Sequence, residues 1–226
     1  MNLALFDLDH TLLPLDSDHA WGQFTVELGW RDAAVFAKAN DAFYEQYKAG
    51  TLDINTYVRF GTQSLRDLGD NGAELAAAAH QQFMAQVITP AIRPQAVALL
   101  DKHRAAGDDI VLVTATNAFI TAPIAKALGV EHLIAVDLVL DARGVPTGDI
   151  LGTPSFREGK VARVEQWLTS RNTSWTDVGH IFFYSDSIND LPLLERASHP
   201  VATNPDDKLK VIATERGWPV LDLFND

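Results

Sequence analysis

The sequence predicts an α/β fold: a parallel-sheet core, interrupted after its first strand by a helical cap, with a small β-hairpin flap further along. Three observations predict it. Leu3–Phe6 is a short apolar run that ends abruptly in polar residues, as a buried strand does where it meets a loop. From Pro90 to the end, apolar strand-like runs alternate with helix-like segments, the pattern of a parallel sheet covered on both faces. Between them, Trp21, Phe24, Leu28, Val35, Phe36, Phe43, Tyr47, Ile54, Tyr57, Val58, Leu65 and Leu68 fall mostly three and four residues apart, the spacing of helix faces. The predicted division is a core of residues 1–15 and 89–226 with a cap of residues 16–88.

The cap is punctuated by Gly50 and by Gly69-Asp70-Asn71-Gly72, and the alanine run 76–79 has high helix propensity. After Pro90, residues 95–106 read as a helix closed by Gly107, 109–114 as a strand, 120–128 as a helix and 132–136 as a strand. Residues 137–140 and 147–151 flank Asp-Ala-Arg-Gly-Val-Pro and read as an antiparallel hairpin. Residues 158–170 read as a helix, 180–185 as a strand, 191 onward as a short helix, 200–203 as a strand and about 206–216 as the last helix. The tail from Val220 to Phe224 is expected to add a strand or pack on the sheet edge.

The chain has 226 residues and a net charge of −12. That balance argues against a nucleic-acid or anionic-membrane surface, which needs a basic patch. It leaves room for an anionic substrate, because a local cation reverses the field. There is no cysteine, so disulfides, thiolate nucleophiles and cysteine-based metal sites are excluded. No secretory leader pattern opens the chain, and no stretch reaches the ~18 apolar residues of a membrane span. A cytoplasmic location is the resulting expectation. The oligomeric state is not legible in these residues.

Ligands of open α/β sheets bind outside the carboxyl ends of the strands. The first strand ends in Asp7 and Asp9, the second in Thr114, and the 180–185 strand in Ser185 and Asp186 with Asp190 beyond it. Lys160, after Gly159, opens a helix. Taken singly, D-x-D reads as a turn with a helix cap, Thr114 as a strand-end hydrogen bonder and Lys160 as a solvated lysine. Together, carboxylates from two strand ends call for a hard divalent cation, and Mg²⁺ with oxygen ligands suits them. Asp7 and Asp186 are the expected side-chain ligands, with a main-chain oxygen near Asp9, and Asp190 as a ligand or a partner of ligands. Thr114 and Lys160 then suit a phosphoryl group. One aspartate serves as nucleophile and another as acid and base.

Phe6-Asp7-Leu8-Asp9-His10-Thr11-Leu12 resembles the first motif of the haloacid dehalogenase (HAD) superfamily. Thr114 resembles its second motif, Lys160 its third, and Ser185-Asp186-Ser187-Ile188-Asn189-Asp190 its fourth. The helical insert after the first motif is similar to a C1 cap on a Rossmann-like core, as in the phosphoserine phosphatase-like branch (subfamily IB). The resemblance implies a phosphatase using Mg²⁺. Asp7 would be nucleophile and metal ligand, Asp9 the acid/base and a ligand through its carbonyl, and Asp186 and Asp190 the rest of the metal site. Thr114 and Lys160 would bind the phosphoryl group, with Ala115 and Asn117 beside it.

There are departures. Those phosphatases have Gly-Asp-Gly where this chain has Ser185-Asp186-Ser187, and Ser-Gly-Gly where it has Thr114-Ala115-Thr116. Asp16 stands where they place a glutamate for the substrate ammonium. Asp16 and Asp18 read either as caps of the first cap helix or as receivers of a cationic amine. Arg59 lies near where a substrate carboxylate would be held, and reads first as a surface arginine. The expected partner is a small phosphorylated metabolite, phosphoserine or histidinol phosphate among them. The other class of reading is a non-catalytic phosphate-binding or regulatory protein on the same fold.

Overall fold

The computed structural model describes residues 1–224. Strand β1 (Leu3–Phe6) is followed by helices α1 (Ser17–Glu27), α2 (Ala33–Ala49), α3 (Ile54–Gly61), α4 (Gln63–Arg66) and α5 (Gly72–Phe83). A π-helical turn at Met84–Ile88 and the short α6 (Thr89–Ala91) return the chain to α7 (Pro94–Ala106) and β2 (Asp109–Asn117). Then come α8 (Ala118–Ala127), β3 (His132–Val136), β4 (Leu138–Leu140), β5 (Pro146–Ile150), α9 (Glu158–Ser170), β6 (Ile181–Ser185), α10 (Leu191–Leu194), β7 (His199–Thr203), α11 (Asp207–Arg216) and β8 (Val220–Leu221).

Six strands pair in the order β3-β2-β1-β6-β7-β8, every neighbouring pair parallel. β4 and β5 form the separate antiparallel hairpin. β1 lies inside the sheet, and each of its residues is fully buried. Alternate residues feed opposite faces, which is why the run is continuously apolar. Ala4 and Phe6 join one core with Leu112, Tyr184, Trp21, Phe24 and Phe83. Leu3 and Leu5 join the other with Val111, Val113, Phe183, Val164, Leu168 and Leu209. Trp21 and Phe24 are therefore core residues, 1% and 3% exposed, and fasten α1 to the sheet layer.

Local chemistry explains the boundaries. Asp16, Asp32 and Asp53 cap α1, α2 and α3 by accepting backbone N–H groups, and Gly107 closes α7 in the left-handed region at φ 75°. β2 runs three residues beyond its predicted end at Thr114. After a register shift it pairs Asn117 with Val136, so residues 114–117 stay extended at the sheet's carboxyl edge. The flap is pinned to the helical segment by Arg59, whose guanidinium donates to Asp149 at 2.8 Å. No helix among the described residues is long and apolar enough to cross a membrane.

Candidate active site

The carboxyl ends of β1, β2 and β6 open into one cavity of about 950 Å³, walled on its far side by α1, α2 and α3. Asp7, Asp9, Thr114, Ala115, Lys160, Asp186 and Asp190 all line it, as do Asp16 and Asp18. Residues far apart in sequence meet here because parallel strands deliver their ends to one edge.

Asp7 continues the β1 ladder, its N–H donating to the Tyr184 carbonyl at 2.9 Å. The chain then turns tightly, with the N–H groups of Thr11, Leu12 and Leu13 all donating to the Leu8 carbonyl. Lys160 stands at the start of α9. A Cβ on Gly159 would lie 2.0 Å from the Pro154 carbonyl oxygen, so only glycine lets that helix begin so close to the preceding loop. Lys160 Nζ donates to Asp7 Oδ1 and to Asp190 Oδ2, both at 2.7 Å, and the Ser185 hydroxyl donates to the same Asp190 oxygen at 2.7 Å. All four residues are buried.

One ammonium faces a surplus of carboxylates. Burial, then the charges of Asp7 and Asp190, raise Asp186 well above the ordinary carboxylate range. Burial pushes Asp190 up to about 6 against the pull of Lys160. Burial disfavours the charge on Lys160, but Asp190 and Asp7 outweigh it and hold the ammonium above its usual value. Among the described residues no three His, Cys, Asp or Glu side chains are gathered as a ready ligand cluster. The donor set nonetheless fits a hard cation: oxygen atoms only, excess negative charge, and a cavity beside them.

Asp9 lies between two donors. The Ser17 N–H reaches Oδ1 at 2.7 Å and the Thr116 hydroxyl reaches Oδ2 at 2.8 Å. Burial, then the charges of Asp16 and Asp7, push its carboxyl up to about 8. The Thr114 hydroxyl accepts from the Thr116 N–H at 3.1 Å, and the Thr114 carbonyl accepts from Ser155 Oγ at 2.5 Å. Asn117 has a different position from the other predicted contacts: its Oδ1 accepts from the Ile120 N–H at 3.3 Å as the cap of α8, and it is not among the described residues lining the cavity.

On the cap side, Asp16 accepts from the His19 N–H at 2.9 Å, so it caps α1 and lines the cavity at once. Asp18 is pushed up to about 6 by burial and by Asp16, with Tyr57 and Arg31 acting the other way. Phe43, Tyr44, Tyr47 and Tyr57 supply aromatic wall. Arg59 is turned away onto the flap. Several functional contacts lie outside the motif reading. Thr11 Oγ1 donates to Asp186 Oδ1 at 3.2 Å and accepts from the Asp186 N–H at 3.0 Å, tying the first loop to the fourth motif. The Tyr47 and Ser187 hydroxyls meet at 2.7 Å across the cavity mouth. The hydroxyl that closes the Asp7-x-Asp9-x-Thr11 run was the available signal for Thr11, whereas nothing in sequence spacing pairs Tyr47 with Ser187.

The chain matches the haloacid dehalogenase-like hydrolase family over residues 4–195. It is 43% identical to a histidinol-phosphatase of Neisseria meningitidis serogroup C (strain 8013), over 98% of this chain and 99% of that protein. A crystal structure of a protein with unknown function from Bordetella pertussis Tohama I superposes with a TM-score of 0.89 at 49% identity, covering 99% of both chains. A phosphoserine phosphatase structure carrying a phospho-aspartyl intermediate analogue shares the fold, with a TM-score of 0.67 at 18% identity over 100% of this chain and 94% of that one. The family match, the cover of the relatives and the strand-end chemistry agree: the chain belongs to the haloacid dehalogenase-like hydrolases and is a phosphatase.

Proposed function

We propose that this phosphatase is a Mg²⁺-dependent phosphomonoesterase that works through an aspartyl-phosphate on Asp7 and takes a small cationic amino-alcohol phosphate, histidinol phosphate first among such compounds. The observation that carries the mechanism is the convergence of Asp7, Asp9, Thr114, Lys160 and Asp186 on one cavity, with Lys160 holding Asp7 at 2.7 Å. Asp7, Asp186 and the Asp9 carbonyl would hold the metal, with Asp190 behind them. When bound, Mg²⁺ neutralises the carboxylates and draws charge from the phosphoryl oxygens. Lys160 orients Asp7 and offsets phosphoryl charge, and Thr114 offers a hydroxyl to the same group. Asp9 gives a proton to the leaving alcohol and then takes one from water.

The reading divides the chain into a catalytic core of residues 1–15 and 89–226 and a cap of residues 16–88 that encloses the substrate. The wall residues support a cationic substrate without a carboxylate. Asp16 and Asp18 face the cavity, and no arginine is among its described lining residues. Of the lysines there other than Lys160, Lys48 is paired with Glu45 at 2.5 Å and Lys208 donates to the Lys48 carbonyl at 2.8 Å. The histidinol-phosphatase relative, aligned over nearly its full length, favours the same choice.

The test is phosphate release with Mg²⁺ from histidinol phosphate, phosphoserine, sugar phosphates, nucleotides and glycerol phosphates, beside an Asp7→Asn control. The expected result is a kcat/KM on histidinol phosphate at least about 100-fold above that on phosphoserine, the discrimination a misplaced charge gives, with the control inactive. Preference for phosphoserine would overturn the substrate and keep the reaction class. Release unaffected by Asp7→Asn would overturn the mechanism.

A further inference from the structure

We infer that Thr116 is a positioning residue for the proton transfer, fixing the Asp9 carboxyl for delivery to the leaving oxygen. The inference rests on the phosphomonoesterase reading above and goes beyond the residues assigned there. The geometry is specific. The Asp9 carboxyl has two oxygens, and each has a separate donor from a different part of the chain. Oδ1 receives the N–H of Ser17, the first residue of α1, at 2.7 Å. Oδ2 receives the Thr116 hydroxyl, from the carboxyl-end extension of β2, at 2.8 Å. Thr116 is itself held, because its N–H donates to Thr114 Oγ1 at 3.1 Å and its side chain is buried. The carboxyl plane is pinned at both ends.

The chemistry requires such pinning. In the first half-reaction an Asp7 oxygen forms a bond to phosphorus and the bond from phosphorus to the alcohol oxygen breaks. The departing oxygen takes the Asp9 proton, leaving a neutral alcohol and an Asp9 carboxylate. In the second, a water oxygen attacks phosphorus, its proton returns to Asp9, and the bond to Asp7 breaks to release phosphate. Donors already aimed at the Asp9 oxygens meet the negative charge that appears there in the first half and need no reorganisation. Without the Thr116 hydroxyl, one oxygen of a buried carboxylate loses its partner and the group is free to turn.

The experiment compares kcat/KM for an alkyl phosphomonoester and for 4-nitrophenyl phosphate, whose phenolate leaves without a proton, in the wild type, Thr116→Val, Thr116→Ser and Asp9→Asn. kcat/KM reports the first half-reaction alone. Thr116→Val is expected to lose about 10- to 100-fold on the alkyl ester, part of the ~10²–10⁴ that proton transfer contributes, and under about 3-fold on the nitrophenyl ester. Thr116→Ser is expected to restore the alkyl rate. If Thr116→Val is unfolded by thermal melting, Thr116→Ala makes the same comparison. Equal losses on both esters would make Thr116 a packing residue and overturn the inference, as would no loss on either. If Asp9→Asn shows no leaving-group dependence, or the wild type releases no phosphate, Asp9 is not the acid. The phosphomonoesterase reading then fails first, and the inference fails with it.

Discussion

Two buried polar networks hang on the same pair of central strands, one residue apart, and they are put to opposite uses. Phe6 and Tyr184 are paired across β1 and β6, with rings stacked at 4.7 Å. The Tyr184 hydroxyl meets His103 Nε2 at 2.9 Å, and His103 Nδ1 meets Asp108 Oδ2 at 2.7 Å. The His103 and Asp108 side chains are 3% and 4% exposed. The next residues along the same strands, Asp7 and Ser185, point to the other network, where Lys160 bridges Asp7 and Asp190. The first network is closed: one imidazole, one carboxylate, one phenol, each with its partner. The second sets Asp7, Asp190 and Asp186 around one ammonium, and it opens on a cavity. A balanced network deep in a protein holds the fold, whereas surplus charge beside a cavity suits the cation and phosphoryl group of the proposed function.

The largest effect expected from this contrast is on activity. Asp7→Asn should lower kcat by at least about 10³-fold, as removal of a nucleophile does, with little change in melting temperature. His103→Ala, in the closed network, should leave kcat within about 3-fold. In stability the ranking changes. Lys160→Met leaves Asp7 and Asp190 buried without their cation and should cost about 3–5 kcal/mol in urea unfolding. His103→Ala should cost about 2–4 kcal/mol through two lost hydrogen bonds and a cavity. Equal indifference to Lys160→Met and His103→Ala would contradict the contrast between the two networks.

Metal separates the two networks more sharply. Saturating Mg²⁺ should stabilise the wild type by about 2.7 kcal/mol at 100 times its dissociation constant. His103→Ala should keep that increment and Asp186→Asn should lose most of it, by calorimetry or denaturant titration.

The cap wall gives a smaller effect, with a sign that follows from Asp18. Its carboxyl lies at about 6 in the fold, against an ordinary 3.8, because burial and Asp16 disfavour its charge. A raised value means that the fold binds the proton more tightly than the unfolded chain does. Stability from this group is therefore complete below pH 3.8 and is lost as pH rises through 6. Asp18→Asn should then stabilise the chain by about 1–2 kcal/mol at pH 7.5 and by nothing at pH 3.5. The smallest effect is Tyr184→Phe, which removes one hydrogen bond from the closed network and should cost about 1 kcal/mol.

The division between what the sequence disclosed and what it did not follows the same line. Apolar runs with abrupt polar ends located β1, β2 and β6, and strand ends of a parallel sheet are where chemistry collects. Asp7, Asp9, Thr114, Lys160 and Asp186 were thus legible as a set. The helical insert was legible from spacing, and Arg59 is the surface arginine that its sequence setting favoured; what the sequence could not give is its partner. Its true partner is Asp149 on a hairpin ninety positions away. The family resemblance sets Asn117 beside the phosphoryl group, with β2 expected to stop at Thr114. The register shift between Val113 and Asn117 carries the strand on and makes Asn117 a helix cap. The contacts that hold Asp9, namely a backbone N–H from Ser17 and a hydroxyl from Thr116, are products of tertiary placement and leave no periodic trace.

The most direct test of the account is to quench turnover of wild-type protein in acid, with Mg²⁺ and substrate present, and to map phosphoryl groups by peptide mass. The expected result is one phosphoryl group on the peptide that carries Asp7, absent in Asp7→Asn and, with 4-nitrophenyl phosphate as substrate, accumulating in Thr116→Val, where formation needs no proton from Asp9 and breakdown does. Steady phosphate release with no phosphoryl group on that peptide, or with one on a different residue, would contradict it.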